Sequence, residues 1–251
     1  MSEISIKTTS EHWQTRTEWL LGVEALQRLQ QSRVLIVGLG GVGAYAAEML
    51  ARAGVGHLTV VDSDGVSLTN RNRQLLALES TTGELKSKVM AARLRDINPH
   101  IEVMEIDTYI DESTAEGVVS GQPFDFIVDA IDTLSPKIAL IHAAYIYKVP
   151  LVSSMGAGAK LDATMVRLAD ISKSYNCPLA FMLRKRLRKM GISKGFQVVF
   201  STELPDPNAV VICEERNKKS LVGTISYLPA VFGCVCAQAA IQSLLLPVSQ
   251  K

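Results

Sequence analysis

The chain has 251 residues, a formal net charge of +1 at pH 7, 47% hydrophobic residues and 20% charged residues. This composition is ordinary for a compact soluble protein and excludes an extensively disordered chain. Neither an internal repeat nor a linker rich in Gly, Ser or Pro divides the sequence. We therefore predict that residues 1–251 form a single domain.

The first predicted strand, at 34–37, runs directly into a glycine-rich turn and a helix predicted over 42–53. Residues without Cβ atoms let backbone N–H groups approach a phosphate, and the N-terminus of the following helix carries partial positive charge. The turn therefore predicts a phosphate-binding site. Its candidate residues are Gly38, Gly40, Gly41 and Gly43.

A second predicted strand, at 58–61, ends at an acidic residue. Asp62 lies at its carboxyl end, where a carboxylate can accept hydrogen bonds from ribose hydroxyls. Asp64, two residues further on, is assigned to the same nucleotide site. Together with the glycine turn, these residues predict that the chain binds a nucleotide.

Strands and helices alternate through about residue 154, which predicts an α/β, Rossmann-like and mostly parallel sheet with helices on both faces. Strand-like runs at 164–168, 198–201 and 210–213 are expected to extend this sheet with antiparallel strands in the C-terminal half. We predict a nucleotide-binding half at about 20–154 and a substrate-side half at about 155–251.

Cations follow the second strand. Asn70 to Gln74 includes two arginines, and Lys86 lies near the start of a helix predicted over 84–97. Hydride transfer seldom needs several cations near one phosphate chain, whereas attack on a phosphate does, because charge builds on its oxygens. A nicotinamide dehydrogenase or a nucleotide-sensing module would need the glycine turn and Asp62. Neither would need these cations together with a further acidic residue, Asp132, which follows a later strand.

A buried-type strand at 126–132 ends in two acids. Asp132 lies just past the strand end, where ligands bind in open parallel sheets, and we predict that it binds Mg²⁺.

These residues resemble the adenylation domain of ubiquitin-activating-type enzymes. The resemblance rests on Gly38 to Gly43, Asp62, Asn70, Arg73, Gln74, Lys86 and Asp129 to Asp132. It implies that ATP is bound with the help of Asn70 and Gln74 and that Arg73, Lys86 and Asp132 act in catalysis. Arg16 matches an arginine that, in carrier-adenylating relatives, reaches the partner subunit's ATP site, so the resemblance also implies a homodimer.

Within this superfamily, segments 129–137, 156–162 and 199–203 resemble the tRNA threonylcarbamoyladenosine dehydratases. That resemblance implies adenylation of the threonylcarbamoyl carboxylate on a tRNA adenosine and ring closure with loss of AMP. It leaves open a cysteine desulfurase or sulfur-acceptor partner and a monovalent cation. The alternative is adenylation of a ubiquitin-like or sulfur-carrier protein C-terminus.

Carrier-adenylating relatives typically hold zinc with two Cys-x-x-Cys pairs, which this sequence lacks. Cys234 and Cys236 point about 200° apart on a helix, a poor arrangement for one metal ion. We expect buried apolar cysteines, no zinc and no disulfides. The four cysteines are Cys177, Cys213, Cys234 and Cys236.

Residues 171–202 contain no acidic residue, and five of the six residues at 184–189 are cations. This local charge predicts binding to the phosphates of tRNA, while a solvated helix face is the alternative. The candidate RNA-binding residues are Arg184, Lys185, Arg186, Arg188 and Lys189.

The mostly apolar segment 227–246 is long enough to cross a bilayer, but it contains Pro229, Gly233 and two glutamines four residues apart. We predict a core or dimer-interface helix and no membrane association. Residues 1–11 lack the apolar segment of a secretory signal, so we expect a cytoplasmic protein.

Overall fold

The computed structural model describes residues 12–215 and 218–246. The helices are α1 (Thr15–Leu21), α2 (Val23–Gln31), α3 (Gly43–Ala53), α4 (Lys86–Ile97), α5 (Ala115–Ser120), α6 (Leu134–Ile146), α7 (Pro178–Arg188) and α8 (Tyr227–Leu245). The strands are β1 (Arg33–Val37), β2 (His57–Val61), β3 (Glu102–Ile106), β4 (Phe126–Asp129), β5 (Leu151–Ser154), β6 (Val166–Asp170), β7 (Gln197–Ser201), β8 (Val210–Glu215) and β9 (Lys218–Val222). Residues 1–11, on which the expectation of no secretory signal rests, lie outside the described part.

Within the described ranges, seven strands form one sheet in the order β3-β2-β1-β4-β5-β7-β6. All neighbours are parallel except β6, which is antiparallel to β7. The order reverses between β1 and β4, the position at which doubly wound sheets open a crevice for ligands at their carboxyl edge. The predicted fold class is therefore confirmed, and the glycine turn after β1 lies at this crevice.

The strand prediction for 210–213 is correct in position but wrong in partner. β8 pairs with β9 in a separate antiparallel hairpin and does not extend the central sheet. β9 follows β8 closely in the chain, so the two strands pair locally. Val210 and Val211 stay exposed, whereas strands within the central sheet are covered on both faces. β6 begins at Val166, because the Asp162 carboxylate accepts the Thr164 N–H and closes a 3₁₀ turn at 163–165.

The core lies on both faces of the sheet. In β1, Val34 and Ile36 pack into the apolar cluster beneath α3, α4 and α8, whereas Leu35 and Val37 pack into the cluster beneath α5, α6 and α7. A strand buried on both faces gives the continuous apolar run seen in the sequence. Because strands from both predicted halves share this sheet, the halves are joined through one core, while the single-domain assignment stays a prediction.

Helix α8 is long and apolar enough to cross a membrane by composition, yet its inner face is part of the core. Phe232, Cys236 and Ala240 are fully buried at helical spacing. A Cβ at Gly233 would lie 2.4 Å from the Val42 carbonyl oxygen, so the glycine allows α8 to approach α3 closely. The helix packs in the core, which is one of the two alternatives predicted from the sequence.

Candidate active site

The turn after β1 is too tight for side chains at two of its glycines. Gly38 has φ +89°, and a Cβ there would lie 2.8 Å from the Ala130 carbonyl oxygen. A Cβ at Gly43 would meet the Gly38 carbonyl oxygen at 1.7 Å. Within the described part of the chain, no side chain caps the N-terminus of α3. The turn therefore presents backbone N–H groups and a helix N-terminus of the kind that binds phosphate.

The other two glycines line the crevice beside neighbouring elements. A Cβ at Gly40 would lie 3.7 Å from Gln74 Nε2, and one at Gly41 would lie 3.0 Å from Pro229 Cβ on α8. The glycine turn, the arginine-containing loop and the start of α8 thus meet around one space. Sequence spacing alone could not predict the contribution of α8, which is far away along the chain.

Asp62 joins the end of β2 to the glycine turn. Its Oδ2 accepts the Leu39 N–H at 2.6 Å, and its Oδ1 accepts the Asp64 N–H at 2.8 Å. Burial raises the pKa of Asp62, and this effect outweighs the lowering by the Lys86 charge and by the two N–H donors. The carboxylate is nearly buried at the crevice and orients the turn.

Lys86 is the first residue of α4 and is only 5% exposed. Its Nζ lies 3.0 Å from Asp64 Oδ2 and 4.0 Å from Asp62 Oδ1. An ammonium group at a helix N-terminus opposes the helix dipole, and the two carboxylates offset this. The predicted lysine, Asp62 and Asp64 therefore lie together at the carboxyl end of β2.

The side chains of two asparagines, Asn70 and Asn72, accept hydrogen bonds within the loop after β2. Asn70 Oδ1 accepts the Ser67 N–H at 3.2 Å, which closes the 3₁₀ turn Leu68–Asn70. Arg73 Nη1 donates to Asn72 Oδ1 at 2.7 Å and to the Thr69 carbonyl oxygen at 3.0 Å. These contacts fix the direction of the guanidinium of Arg73.

Asn72 was not singled out by the sequence. Its Nδ2 donates to the Thr224 carbonyl oxygen at 2.9 Å, just after β9. The loop that carries Arg73 is thereby tied to the base of the β8–β9 hairpin. The position of Asn72 directly before Arg73 was the signal in the sequence that could have indicated a role for this asparagine.

Two buried polar atoms near the crevice have no hydrogen-bond partner among the described residues, namely Gln74 Oε1 and Arg71 Nε. An unpaired buried polar atom is costly, so each needs an explanation. Gln74 Nε2 lies beside Gly40, and a ligand that reaches this amide could donate to the unpaired Oε1. Arg71 also pairs with Glu79 through its guanidinium, an ion pair that sequence spacing did not reveal.

The two acids at the end of β4 have different surroundings. Asp129 is fully buried, and its Oδ2 accepts from Lys137 Nζ at 2.7 Å and from Ser153 Oγ at 2.6 Å. Its Oδ1 accepts the Ile131 N–H at 3.1 Å, which shapes the turn before α6. Asp132 is exposed on this turn. Asp129 therefore belongs to the buried support of the turn, and Asp132 lies at the carboxyl edge of the sheet.

The described residues contain no group of three or more His, Cys, Asp or Glu side chains that could hold a metal ion. Cys236 is fully buried, and burial raises the pKa of its thiol to about 12. Cys177 is also buried, whereas Cys234 is exposed, so the expectation of buried cysteines is wrong for Cys234. The side chain of Cys213 lies outside the described part.

Arg16 lies away from the glycine turn of its own chain. Gln14, at the start of the helix α1 that contains Arg16, donates from its Nε2 to the Ala53 carbonyl oxygen at 3.3 Å. Ala53 is the last residue of α3. The eleven residues of α3 separate this end from the turn by about 16 Å. The structure therefore does not bring Arg16 to the other predicted site residues within one chain.

The predicted basic segment forms the second half of α7 and the residue after it. Lys185, Arg186, Arg188 and Lys189 are exposed. Arg184 differs, because its Nη1 donates to the Ser174 carbonyl oxygen at 2.8 Å and also contacts the Ser174 hydroxyl. Four of the five predicted RNA-binding side chains are thus accessible, and the fifth anchors the preceding loop.

Residues 14–250 match the ThiF family profile. The chain is 40% identical to the tRNA threonylcarbamoyladenosine dehydratase of Bacillus subtilis, over 96% of this chain and 97% of the relative. The Escherichia coli enzyme of the same name is 35% identical over 96% and 98%. The crystal structure of that E. coli enzyme, TcdA, in complex with ATP superposes with a TM-score of 0.86 and 34% identity, covering 98% of this chain and all of the other. The chain therefore belongs to the ThiF family and, within it, to the tRNA threonylcarbamoyladenosine dehydratases.

Proposed function

We propose that this protein uses ATP to adenylate the carboxylate of N6-threonylcarbamoyladenosine in tRNA and then closes a ring with loss of AMP. The observation that carries the proposal is the meeting of Asp62, Lys86 and the glycine turn at one sheet edge, in a chain similar over its whole length to dehydratases of that name. The E. coli relative with the same fold was crystallised with ATP.

The nucleotide assignment is supported by the shape and polarity of the crevice. The phosphates are assigned to Gly38, Gly40, Gly41 and Gly43, where added Cβ atoms would fill the space or strain the turn. The ribose is assigned to Asp62 and Asp64. Asn70 and Gln74 are assigned to the same nucleotide, and the unpaired Gln74 Oε1 among the described atoms supports a ligand there.

In the adenylation step, a carboxylate oxygen of the threonylcarbamoyl group attacks the α-phosphorus, and the bond to the leaving pyrophosphate breaks. Arg73 and Lys86 stabilise the negative charge on the phosphate oxygens. An internal nucleophile of the threonylcarbamoyl group then attacks the activated carbonyl carbon, and AMP leaves. Because positioning and charge neutralisation carry most of such a reaction, little acid–base machinery is needed.

Asp132 is proposed to hold Mg²⁺. A single exposed carboxylate suits this ion, which is usually bound by one or two carboxylates together with substrate phosphates and water. When bound, Mg²⁺ would neutralise charge on the phosphates. The buried Asp129–Lys137 pair would hold the turn that carries Asp132 in place. A monovalent cation stays a prediction from the resemblance.

We also propose a cytoplasmic homodimer. Arg16 lies near the far end of α3, so it could reach an ATP site only across a subunit interface. On the same helix, Trp19 and Leu20 are 64% and 82% exposed, which supports an interface at α1. A cysteine desulfurase or sulfur-acceptor partner stays a prediction from the resemblance.

The carrier-adenylating alternative is less well supported. The chain is 36% identical to the E. coli molybdopterin-synthase adenylyltransferase, but over only 60% of each chain. The basic segment, with Lys185, Arg186, Arg188 and Lys189 exposed, instead suits a polyanionic substrate.

Mass spectrometry of tRNA nucleosides tests the proposal. Incubation of the protein with tRNA and ATP–Mg²⁺ should convert threonylcarbamoyladenosine into a product lighter by one water, with release of AMP and pyrophosphate. An ATP analogue with a methylene bridge between the α- and β-phosphorus should block the reaction, because pyrophosphate cannot leave. An unchanged nucleoside, with ATP-dependent modification of a carrier-protein C-terminus, would favour the alternative.

A further inference from the structure

The surface around α7 is aromatic as well as basic. Phe181 is 58% exposed, and it precedes Lys185 by four residues and Arg188 by seven, so the three share one helix face. Tyr175, just before the helix, is 53% exposed. The opposite face of α7 is buried in the core through Ala180, Leu183 and Leu187. The core therefore does not require the exposed ring of Phe181.

Tyr175 is held in place despite its exposure. Its ring packs edge-on against Phe200, with centroids 5.6 Å apart and an interplanar angle of 69°. The next residue, Asn176, has φ 53°, and its Nδ2 donates to the Thr202 carbonyl oxygen at 2.7 Å. An aromatic ring fixed in this way loses little conformational entropy when a ligand binds.

The two rings lie toward the edge of the sheet that carries the ATP site. Lys160 Nζ donates to the carbonyl oxygens of Asn176 at 3.3 Å and of Ser201, the last residue of β7, at 3.0 Å. A Cβ at Gly156, just after β5, would lie 3.8 Å from Cys177 Sγ. Strands β5 and β7 are parallel to β4, so the N-terminal end of α7 lies at the carboxyl edge shared with Asp132.

We infer that Tyr175 and Phe181 form a stacking site for unpaired RNA bases, while the neighbouring cations of α7 bind the phosphates. Residues 171–202 carry no acidic residue, so this surface complements a polyanion and not a mixed-charge protein surface. Aromatic rings beside cations bind single strands, because base faces are accessible there and hidden in a duplex. This inference rests on the proposed function and adds that an unpaired part of the substrate RNA is recognised.

Phe181→Leu and Tyr175→Leu test the stacking site through binding to a single-stranded RNA and to a duplex of the same length. Each should weaken single-strand binding by about tenfold, leave duplex binding unchanged and leave the slope of log affinity against log salt unchanged. Phe181→Trp and Tyr175→Phe should retain binding because they keep a ring. Met182→Leu, at the exposed apolar neighbour, is the matched control and should have no effect.

The same series separates failure of the stacking site from failure of the proposed function. Equal losses on duplex and single strand, or unchanged binding in both leucine variants, overturn stacking. A change in oligomeric state in the leucine variants, measured as the mass of the assembly by sedimentation, would instead assign the rings to an interface between copies and also overturn stacking. If the parent protein does not modify tRNA in the presence of ATP, the proposed function fails, whatever the aromatic variants do.

Discussion

Lys86 is a buried cation whose two carboxylate partners differ in exposure. The side chain of Asp62 is 9% exposed, whereas that of Asp64 is 71% exposed. Asp64 is therefore free to turn toward solvent, and the ammonium group can then face a phosphate. The guanidinium of Arg73 is also held in a fixed direction, by Asn72 and Thr69. Fixed cations cost little reorganisation when charge develops in the transition state.

Arg73→Ala and Lys86→Ala should each lower the adenylation rate by about a hundredfold or more, because each removes one donor that we propose stabilises the transition state. ATP–pyrophosphate exchange measures the rate, and thermal unfolding measures the stability of each variant. A large fall in melting temperature with near-normal activity per folded molecule would show a purely structural role.

Asp62 should make stability depend on pH. Its folded pKa is raised by burial, so the folded state binds its proton more tightly than the unfolded chain does, whose aspartate pKa is about 3.9. The corresponding stability is present below pH of about 3.9 and is lost as pH rises through the folded pKa. Asp62→Asn does not titrate. As the pH rises above about 4, the parent should lose this stability and the variant should not. The free energy of unfolding of the variant minus that of the parent should therefore increase with pH.

Urea unfolding of both proteins without nucleotide, at a series of pH values from about 4 to 7, measures this difference. A difference that stays constant over the whole range would contradict the raised pKa. The same variant should bind ATP more weakly if the carboxylate accepts from the ribose.

At the scale of elements, local sequence patterns were enough to predict the strands and helices that form the candidate site. The apolar run of β1 followed by Gly38 to Gly43, and the run of β4 followed by Asp132, could be placed because each depends on neighbouring residues only. The partner of β8 and the Asp129–Lys137–Ser153 network could not be predicted. The network joins residues 8 to 24 positions apart, and only the folded chain decides such contacts. The pairs of β8 and β9 are closer in the chain, 3 to 12 positions apart, but a strand-like run does not by itself show whether it joins the central sheet or a local hairpin.

The basic segment of α7 divides into one anchoring residue, Arg184, and a set of exposed cations. Replacing Lys185 and Arg188 by Ala should weaken tRNA binding across sequences and flatten the slope of log affinity against log salt by about one unit for each phosphate that is no longer bound. ATP affinity should hardly change. Arg184→Ala should instead lower the melting temperature, because its guanidinium holds Ser174.

Affinity measured at several salt concentrations, with circular dichroism melting of each variant, separates the two roles. If α7 is only a solvated helix face, the double variant will match the parent in affinity, salt slope and turnover. The adenylation site would be unaffected by that outcome, since it lies at the ends of other strands.

At the scale of the whole molecule, the strand order determines which parts can meet. The reversal between β1 and β4 opens the carboxyl edge, and α8 closes one side of it through Pro229 against Gly41. β5 and β7 continue the sheet toward α7, and the N-terminal end of this helix lies at the same carboxyl edge as the glycine turn. A ligand that contacts several of these elements binds only the folded chain, so it raises the free energy of unfolding.

Thermal unfolding with nucleotides tests whether this crevice prefers ATP over a dinucleotide. At 100 times its dissociation constant, a ligand that binds only the folded state adds about 2.7 kcal/mol, which for a chain of this size raises the melting temperature by about 5 to 10 °C. ATP–Mg²⁺ should produce such a shift and NAD should not, because Arg73 and Lys86 suit a triphosphate. Lys86→Ala should reduce the ATP shift, whereas Met182→Leu, on α7, should keep it. An equal or larger shift with NAD would argue for a dinucleotide site and against the adenylating mechanism.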